Sequence, residues 1–338
     1  MTRAGATADQ IQHPINLGIM LGATTAPARR RRRPVPSPLW RDLPTRARRT
    51  VEDQIGPVLG SDPIVGGLMP GLAARLHLAG GRTMFAKACP PGQPGAARLL
   101  AREAWAAGSL PPQVPAPALR AAADAEGWAV LVFDHVPGRD ADLAPESPDL
   151  PRVLAAVARL GEVAAPAGAP PVAGHAQVLL GAARRVLAEC PLPEPQRDVC
   201  ETALARFDGS VLAGSALLHY DLHPGNLRRG EDGSLWLLDW AFACAGAPWV
   251  ELALLGPRLI EAGHAPARAQ ALLAGLPAWN GAPFGAADGL VAAWTLFRWG
   301  RALRGPDAGR AGRLRAAEAG LAWLGADQAA GESAHPGR

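Results

Sequence analysis

Four residues stand out in LLHYDLHPGNLRRGEDGSLWLLDW, residues 217–240: His219, Asp221, Asn226 and Asp239. Asp221 is preceded by His219 two residues earlier and followed by Asn226 five residues later, the H-x-D-x-x-x-x-N spacing of a phosphoryl-transfer loop. Asp239 ends the apolar run LWLLD, thirteen residues beyond Asn226. Phosphoryl transfer asks a protein for position and charge neutralisation: one carboxylate to orient an attacking hydroxyl, and hard oxygen ligands for magnesium. A tight loop followed by a hairpin can bring a carboxylate, a carboxamide and a second carboxylate to one magnesium-phosphate group. Taken singly, each of these residues has an ordinary role in a turn or at a strand end. Their joint spacing is what points to chemistry.

A second candidate is marked by composition. The chain holds 34 lysines and arginines, yet Lys87 in TMFAKACPP is its only lysine. Abundant Ala, Gly, Pro and Arg match the codon bias of a GC-rich genome, so arginine counts carry little meaning, whereas an exception to the bias does.

These residues need elements to position them. Leu43, Ala47, Val51 and Ile55 recur at intervals of four, predicting a short amphipathic helix that ends near Gly56. Three strand-like runs follow, DPIVGG, LAARLHL and RTMFAKA, the last two joined by the turn AGGR. GAARLLAREAWAAGSL predicts a helix with Leu99, Leu100, Ala104 and Ala107 on one stripe, stopping before Pro111. QVPAPALRAA and GWAVLVFDHV predict a further strand pair. Beyond Pro137 the chain turns helical, at about 151–164, 173–189 and 195–207, and again from Trp249, near 265–276, 286–304 and 308–324. One hairpin interrupts these helices, with EDGS as its turn. The expected class is α+β: a small, mostly antiparallel sheet with one main helix, then a larger helical half with an embedded hairpin.

HYDLHPGN and LLDWAFACAGAPWVELALL together resemble the aminoglycoside phosphotransferase and choline kinase-like small-molecule kinases, which share a bilobal protein-kinase-like fold. The likeness extends over roughly residues 40 to 305. It implies Asp221 as catalytic base, Asn226 and Asp239 as magnesium ligands, His219 as a brace of the loop, and Glu251 in GAPWVELA as a structural acid. In GGLMPGLAARLHLAGGRTMFAKA it implies a nucleotide loop with backbone contacts at Gly66, Gly67 and Gly71, and Lys87 as the phosphate-binding lysine, with Glu103 as its partner on the helix. A compact ammonium on a flexible stem fits between phosphates and a glutamate where a planar guanidinium does not. In VLVFDHVPG it implies an interlobe hinge whose backbone from Phe133 through Asp134 and His135 to Val136 meets the adenine edge. The implied organisation is a disordered Arg/Pro-rich extension at 1–38, a nucleotide-binding N-lobe at 39–134, a helical C-lobe with the catalytic loop at 135–325, and a flexible tail at 326–338.

The chain departs from the family pattern at three places. Tyr220, the only tyrosine, stands where many relatives have Gly, Ala241 follows Asp239-Trp240 where others have an acid, and Met69 replaces a hydroxyl or amide in the nucleotide loop.

Composition excludes other classes. The net charge of +4 owes much to Arg29–Arg33, read as a solvated tail, so nucleic acid is not expected as a partner. No stretch is apolar for long enough to span a membrane, and Cys89, Cys190, Cys200 and Cys244 form no CxxC pair, which together suit a cytoplasmic protein with free thiols. There is no G-x-G-x-x-G, H-R-D or A-P-E segment of a protein kinase. The expected partners are ATP or GTP with Mg2+ and a small-molecule hydroxyl acceptor, antibiotics included. A primary-metabolite kinase and a nucleotide-binding pseudokinase are the alternatives. For the acceptor, the residues from Phe242 onward hold seven acids against nine arginines, and a cationic acceptor would have to draw on Asp134, Asp140, Asp142, Glu146 and Asp149 of the linker.

Overall fold

A computed structural model describes residues 38–64, 71–307 and 309–333, with side chains described through residue 326. Gly66, Gly67, Met69 and all but the last residue of the expected N-terminal extension lie outside the described residues. The chain divides into two compact units, one of Met1–Gly138 with Gly230–Asp232 and Trp236–Phe242, the other of Arg139–Arg229, Gly233–Leu235 and Ala243–Arg338.

In the first unit, helix α1 (Thr45–Ile55) is followed by β1 (Val58–Pro63), β2 (Leu72–Leu78), β3 (Thr83–Cys89), helix α2 (Pro94–Ser109), β4 (Leu119–Ala125) and β5 (Trp128–Asp134). The first strand begins earlier than the run DPIVGG suggests and ends at Pro63. The strands form one antiparallel sheet in the order β1-β2-β3-β5-β4. Strand residues alternate between faces. Leu72, Ala74, Leu76, Leu78, Met84, Ala86, Val130 and Val132 pack with Ala47, Val51 and Ile55 of α1. The opposite face carries Cys89, Leu131 and Phe133, covered by Ala96 and Leu100 of α2. Lys87 takes the α2 face by the same alternation, opposite Ala73 on β2 and Leu131 on β5. The buried stripe of α2 differs from the expected one. Ala96, Leu99, Leu100, Glu103 and Ala106 are buried, while Ala104 and Ala107 flank the stripe half-buried.

Gly71, which precedes β2, has φ of 142°, and a Cβ there would collide with the Ala88 carbonyl oxygen of β3. Only glycine lets the start of β2 lie this close to the end of β3.

After the short β6 (Gly138–Asp140), the second unit is mainly helical: α3 (Leu150–Gly161), α4 (Val172–Glu189), α5 (Glu194–Ala205), α6 (Trp249–Glu261), α7 (Pro266–Ala274), α8 (Ala286–Arg304) and α9 (Arg310–Ser333). Helix α8 is the hub, packing on α4, α5, α6 and α9, and it is buried along most of its length, as its all-round apolar sequence requires. Between α5 and α6 come four short strands. The expected hairpin is made by β8 (Leu227–Gly230) and β9 (Leu235–Leu237), and its second arm carries the chain back into the first unit. On either side of it, β7 (Ala216–Leu218) and β10 (Cys244–Gly246) were not foreseen from the helical propensity of this region; they pair antiparallel with Leu218 opposite Cys244.

Within this unit the linker carboxylates are engaged. Asp149, 2% exposed, receives Arg139 at 2.5 Å, Arg229 at 3.3 Å and the Asp142 amide at 3.0 Å, and the Arg139 contact comes first in holding its carboxyl below the usual range. Asp140 pairs with Arg228 at 3.0 Å, and Asp142 accepts from the Ala144 amide at 3.0 Å. In the first unit, Asp134 is clasped by both arms of Arg120 at 2.8 and 2.6 Å. Three of the five linker acids are thus paired with arginines, and Asp142 accepts a backbone amide.

Candidate active site

The first unit builds an ammonium held by two carboxylates. Lys87 Nζ donates to Glu103 Oε1 at 2.7 Å and Oε2 at 2.8 Å, and it lies 3.1 Å from Asp239 Oδ1. Glu103 is buried because it falls within the apolar stripe of α2, three residues after Leu100 and three before Ala106. Burial by itself would lower the affinity of Lys87 for its proton, but the Glu103 and Asp239 carboxylates outweigh it and hold its pKa above the ordinary value. Burial in turn raises the Glu103 carboxyl, and Lys87 opposes that rise.

Asp239 reaches Lys87 because the backbone turns sharply there. Its φ is 63°, a left-handed conformation that Asp tolerates better than most residues, and its side chain stays 43% exposed. The turn is fastened on both sides. Leu237 N donates to the Pro115 carbonyl at 2.7 Å, and Arg102 Nε donates to the Ala241 carbonyl at 3.0 Å. Adjacent residues of α2 therefore fix both ends of the triad, Glu103 by direct contact with Lys87 and Arg102 by anchoring the segment that carries Asp239. Arg102 was not among the expected site residues, and its position next to Glu103 was the available signal.

The second unit carries the loop. His219 is fully buried, and its backbone amide donates to Glu251 Oε2 at 2.6 Å; the Tyr220 amide donates to both Glu251 oxygens at 3.1 Å. His219 Nδ1 accepts from the Asp221 amide at 3.3 Å, which is the bracing role expected of it. Asn226 Nδ2 donates to the Asp221 carbonyl at 2.9 Å, and His223 Nδ1 accepts from the Gly225 amide at 3.1 Å. His223 Nε2 lies 4.0 Å from Asp221 Oδ2. Tyr220 has φ of 68°, unusual for a bulky residue. Its ring stacks on His175 at 4.9 Å. Burial pushes the Glu251 carboxyl up to about 7, partly offset by the two amides it accepts.

The remaining expected residues are placed as follows. Phe133 is buried in β5 between Phe85 and Leu119, the Asp134 amide donates to the Ala118 carbonyl at 2.9 Å, and the His135 ring meets the Thr83 hydroxyl at 3.0 Å. The Asp134 N–H is therefore committed to a backbone partner, and Val136 lies in the irregular segment after β5. Gly71 serves strand packing, as described above.

Magnesium takes hard oxygen ligands and keeps waters and phosphate oxygens in its shell. Each of the two expected donors fits that demand: Asp239 offers a half-exposed carboxylate, and the Asn226 carboxamide is oriented by its bond to the Asp221 carbonyl. Among the described residues no group of three or more His, Cys, Asp or Glu converges on a metal position. A magnesium ion held by one or two protein oxygens would fill its shell with phosphate and water.

The sequence pattern of the phosphotransferase enzyme family (APH) matches residues 73–284. No curated protein sequence matches the chain. Among solved structures, the fold is similar to choline kinase LicA from Streptococcus pneumoniae, with TM-score 0.57 and 15% identity over 80% of this chain and 96% of that one. It is also similar to a thermostable mutant of aminoglycoside phosphotransferase APH(4)-Ia in ternary complex with AMP-PNP and hygromycin B, with TM-score 0.55 and 14% identity over 82% and 99% of the two chains. Macrolide 2'-phosphotransferase MphH from Brachybacterium faecium gives TM-score 0.51 and 22% identity over 78% and 91%. These neighbours have the kinase-like architecture, in agreement with the antiparallel-sheet unit and the helical unit described above.

Proposed function

Since the chain belongs to the phosphotransferase enzyme family and is a small-molecule kinase, we propose that it moves the γ-phosphoryl group of ATP, or of GTP, to a hydroxyl of its acceptor. One observation carries this assignment: the buried Lys87 ammonium is held between Glu103 and Asp239, the arrangement needed to present a fixed positive charge to phosphates. Lys87 binds the α and β phosphates, and Glu103 keeps its side chain in place. Asn226 and Asp239 hold magnesium, which when bound neutralises charge on the transferring phosphoryl group. Asp221, on a loop whose amides are tied to His219 and Glu251, orients the acceptor hydroxyl and takes its proton. The AMP-PNP bound in the aminoglycoside phosphotransferase of similar fold supports a nucleoside triphosphate as donor.

The three neighbours named above act on or hold choline, a macrolide or hygromycin B, so acceptor identity varies on this architecture. An antibiotic acceptor would make the activity a resistance function, to be read as growth of a susceptible host expressing the chain. Abundant ATP and magnesium make the cytoplasm the working compartment; among the described residues no helix is long and apolar enough to cross a membrane.

The test is phosphate transfer from ATP against a panel of hydroxylated acceptors. Asp221→Ala should lower kcat by about 10²–10⁴ while nucleotide binding persists. Transfer at the wild-type rate in that variant would remove Asp221 from the chemistry. Binding of ATP with no acceptor phosphorylated would make the chain a pseudokinase.

A further inference from the structure

Two guanidinium groups share one indole in the second unit. The Arg258 guanidinium carbon, from α6, lies 4.9 Å from the Trp294 ring centroid, and that of Arg298, one turn along α8 from Trp294, lies 5.0 Å from it. Stacking on an aromatic face accounts for the orientation of both groups. It does not cancel their charge. Arg258 has a carboxylate, Glu261, at 3.1 Å. No carboxylate stands at ion-pair distance from Arg298 among the described residues, and its Nε is enclosed without a hydrogen bond. Part of the residue nevertheless remains accessible.

Arg298 also lies within electrostatic reach of Asp221. Burial first, and Arg258 second, push its pKa down to about 10, while Asp221 and Glu261 pull the other way. The linker carboxylates of the same unit are committed elsewhere, Asp140 to Arg228 and Asp149 to Arg139 and Arg229. A guanidinium with an enclosed, unbonded Nε costs stability, and an incoming anion, most readily a planar carboxylate, can complete its hydrogen bonds.

We infer that the acceptor is a hydroxylated carboxylate, its anionic group seated on Arg298 and Arg258 beside Trp294 and its hydroxyl presented to Asp221. This rests on the kinase reading for the role of Asp221. It separates the chain from a kinase of polycationic acceptors, whose charge Arg298 would repel.

The experiment uses the full chain and matched acceptors that share a hydroxylated scaffold and differ in charge: a series of hydroxy acids, each beside its amide and its amine, led by gluconate, gluconamide and glucamine. Transfer from ATP with magnesium gives kcat/KM, and calorimetry with AMP-PNP present gives binding without turnover. At least one carboxylate should be favoured over its amide by about tenfold or more, the value of a charge-assisted contact. Arg298→Gln should collapse that ratio to about twofold, and Arg298→Lys should restore part of it. If no carboxylate outperforms its amide, if the amine is preferred, or if Arg298→Gln lowers all three alike, the inference is overturned. Asp221→Asn distinguishes the two claims, since it should lose transfer and keep carboxylate-selective binding. Full transfer by that variant would sink the kinase reading whatever the charge preference.

Discussion

Lys87 Nζ meets both oxygens of Glu103, at 2.7 and 2.8 Å, with the two side chains 12% and 5% exposed. A fork of this kind fixes the ammonium in one place, and β3 and α2 are each held by their own apolar face. The geometry suits a compact point charge. An arginine at this position would be too long and too flat to keep both Glu103 oxygens and Asp239.

Lys87→Arg should therefore keep the charge and lose the function. The expected fall in kcat/KM for ATP is about a hundredfold, as for other misplacements of a transition-state contact by about an ångström. Steady-state kinetics checks it. Turnover equal to wild type would return the single lysine to coincidence.

Glu103→Gln tests the other end of the pair. It leaves Lys87 buried with only the half-exposed Asp239 as counter-charge, and breaking a buried pair in this way should cost about 3 kcal/mol in urea denaturation. Lys87 should then draw on Asp239 more strongly, so the magnesium concentration for half-maximal transfer should rise. A variant with unaltered stability and unaltered magnesium dependence would show that the fork is idle.

Gly71→Ala addresses strand packing. Its Cβ would meet the Ala88 carbonyl at a backbone angle that side chains rarely adopt, so the start of β2 and the end of β3 would have to part. The expected loss is about 2 kcal/mol or more, seen as a lower Tm. Wild-type stability would mean that the strand ends accommodate a methyl group.

Much of this was legible in the sequence because it rests on short-range patterns. The alternation in TMFAKAC sets the face on which Lys87 lies, and the helix period through Leu99 and Leu100 carries Glu103 to it. The loop could be read because its five-residue spacing closes on itself, with the Asn226 side chain bonded to the Asp221 carbonyl. What escaped depends on distant or conformational causes. β7 and β10 are three residues each, too short for periodicity to register, and exist because their backbones find each other across the loop and hairpin between them. The left-handed turn at Tyr220 goes against residue preference, and both it and the one at Asp239 are held by surrounding contacts. The linker acids looked available as a set because sequence does not reveal that Arg120, Arg139, Arg228 and Arg229 already claim three of them.

Glu251 offers the pH prediction. Its carboxyl holds the His219 and Tyr220 amides and is pushed by burial from 4.5 up to about 7. In that window the folded chain carries a proton that the unfolded chain has released, so this group's contribution is present below about 4.5 and is lost as pH rises through about 7. Glu103 is raised by burial in the same direction, so the comparison must be between wild type and Glu251→Gln rather than within wild type. The difference in unfolding free energy between them should change by roughly 3 kcal/mol between about pH 4 and pH 8, wild type losing ground as pH rises, since each tenfold change in proton affinity is worth about 1.4 kcal/mol. Activity should run the opposite way. Only the ionised carboxylate accepts both amides in full, so transfer by wild type should rise through about pH 7. Urea denaturation at a series of pH values and initial rates over the same range check both halves. Parallel stability curves for the two proteins would show that Glu251 keeps its ordinary affinity for protons in spite of its burial.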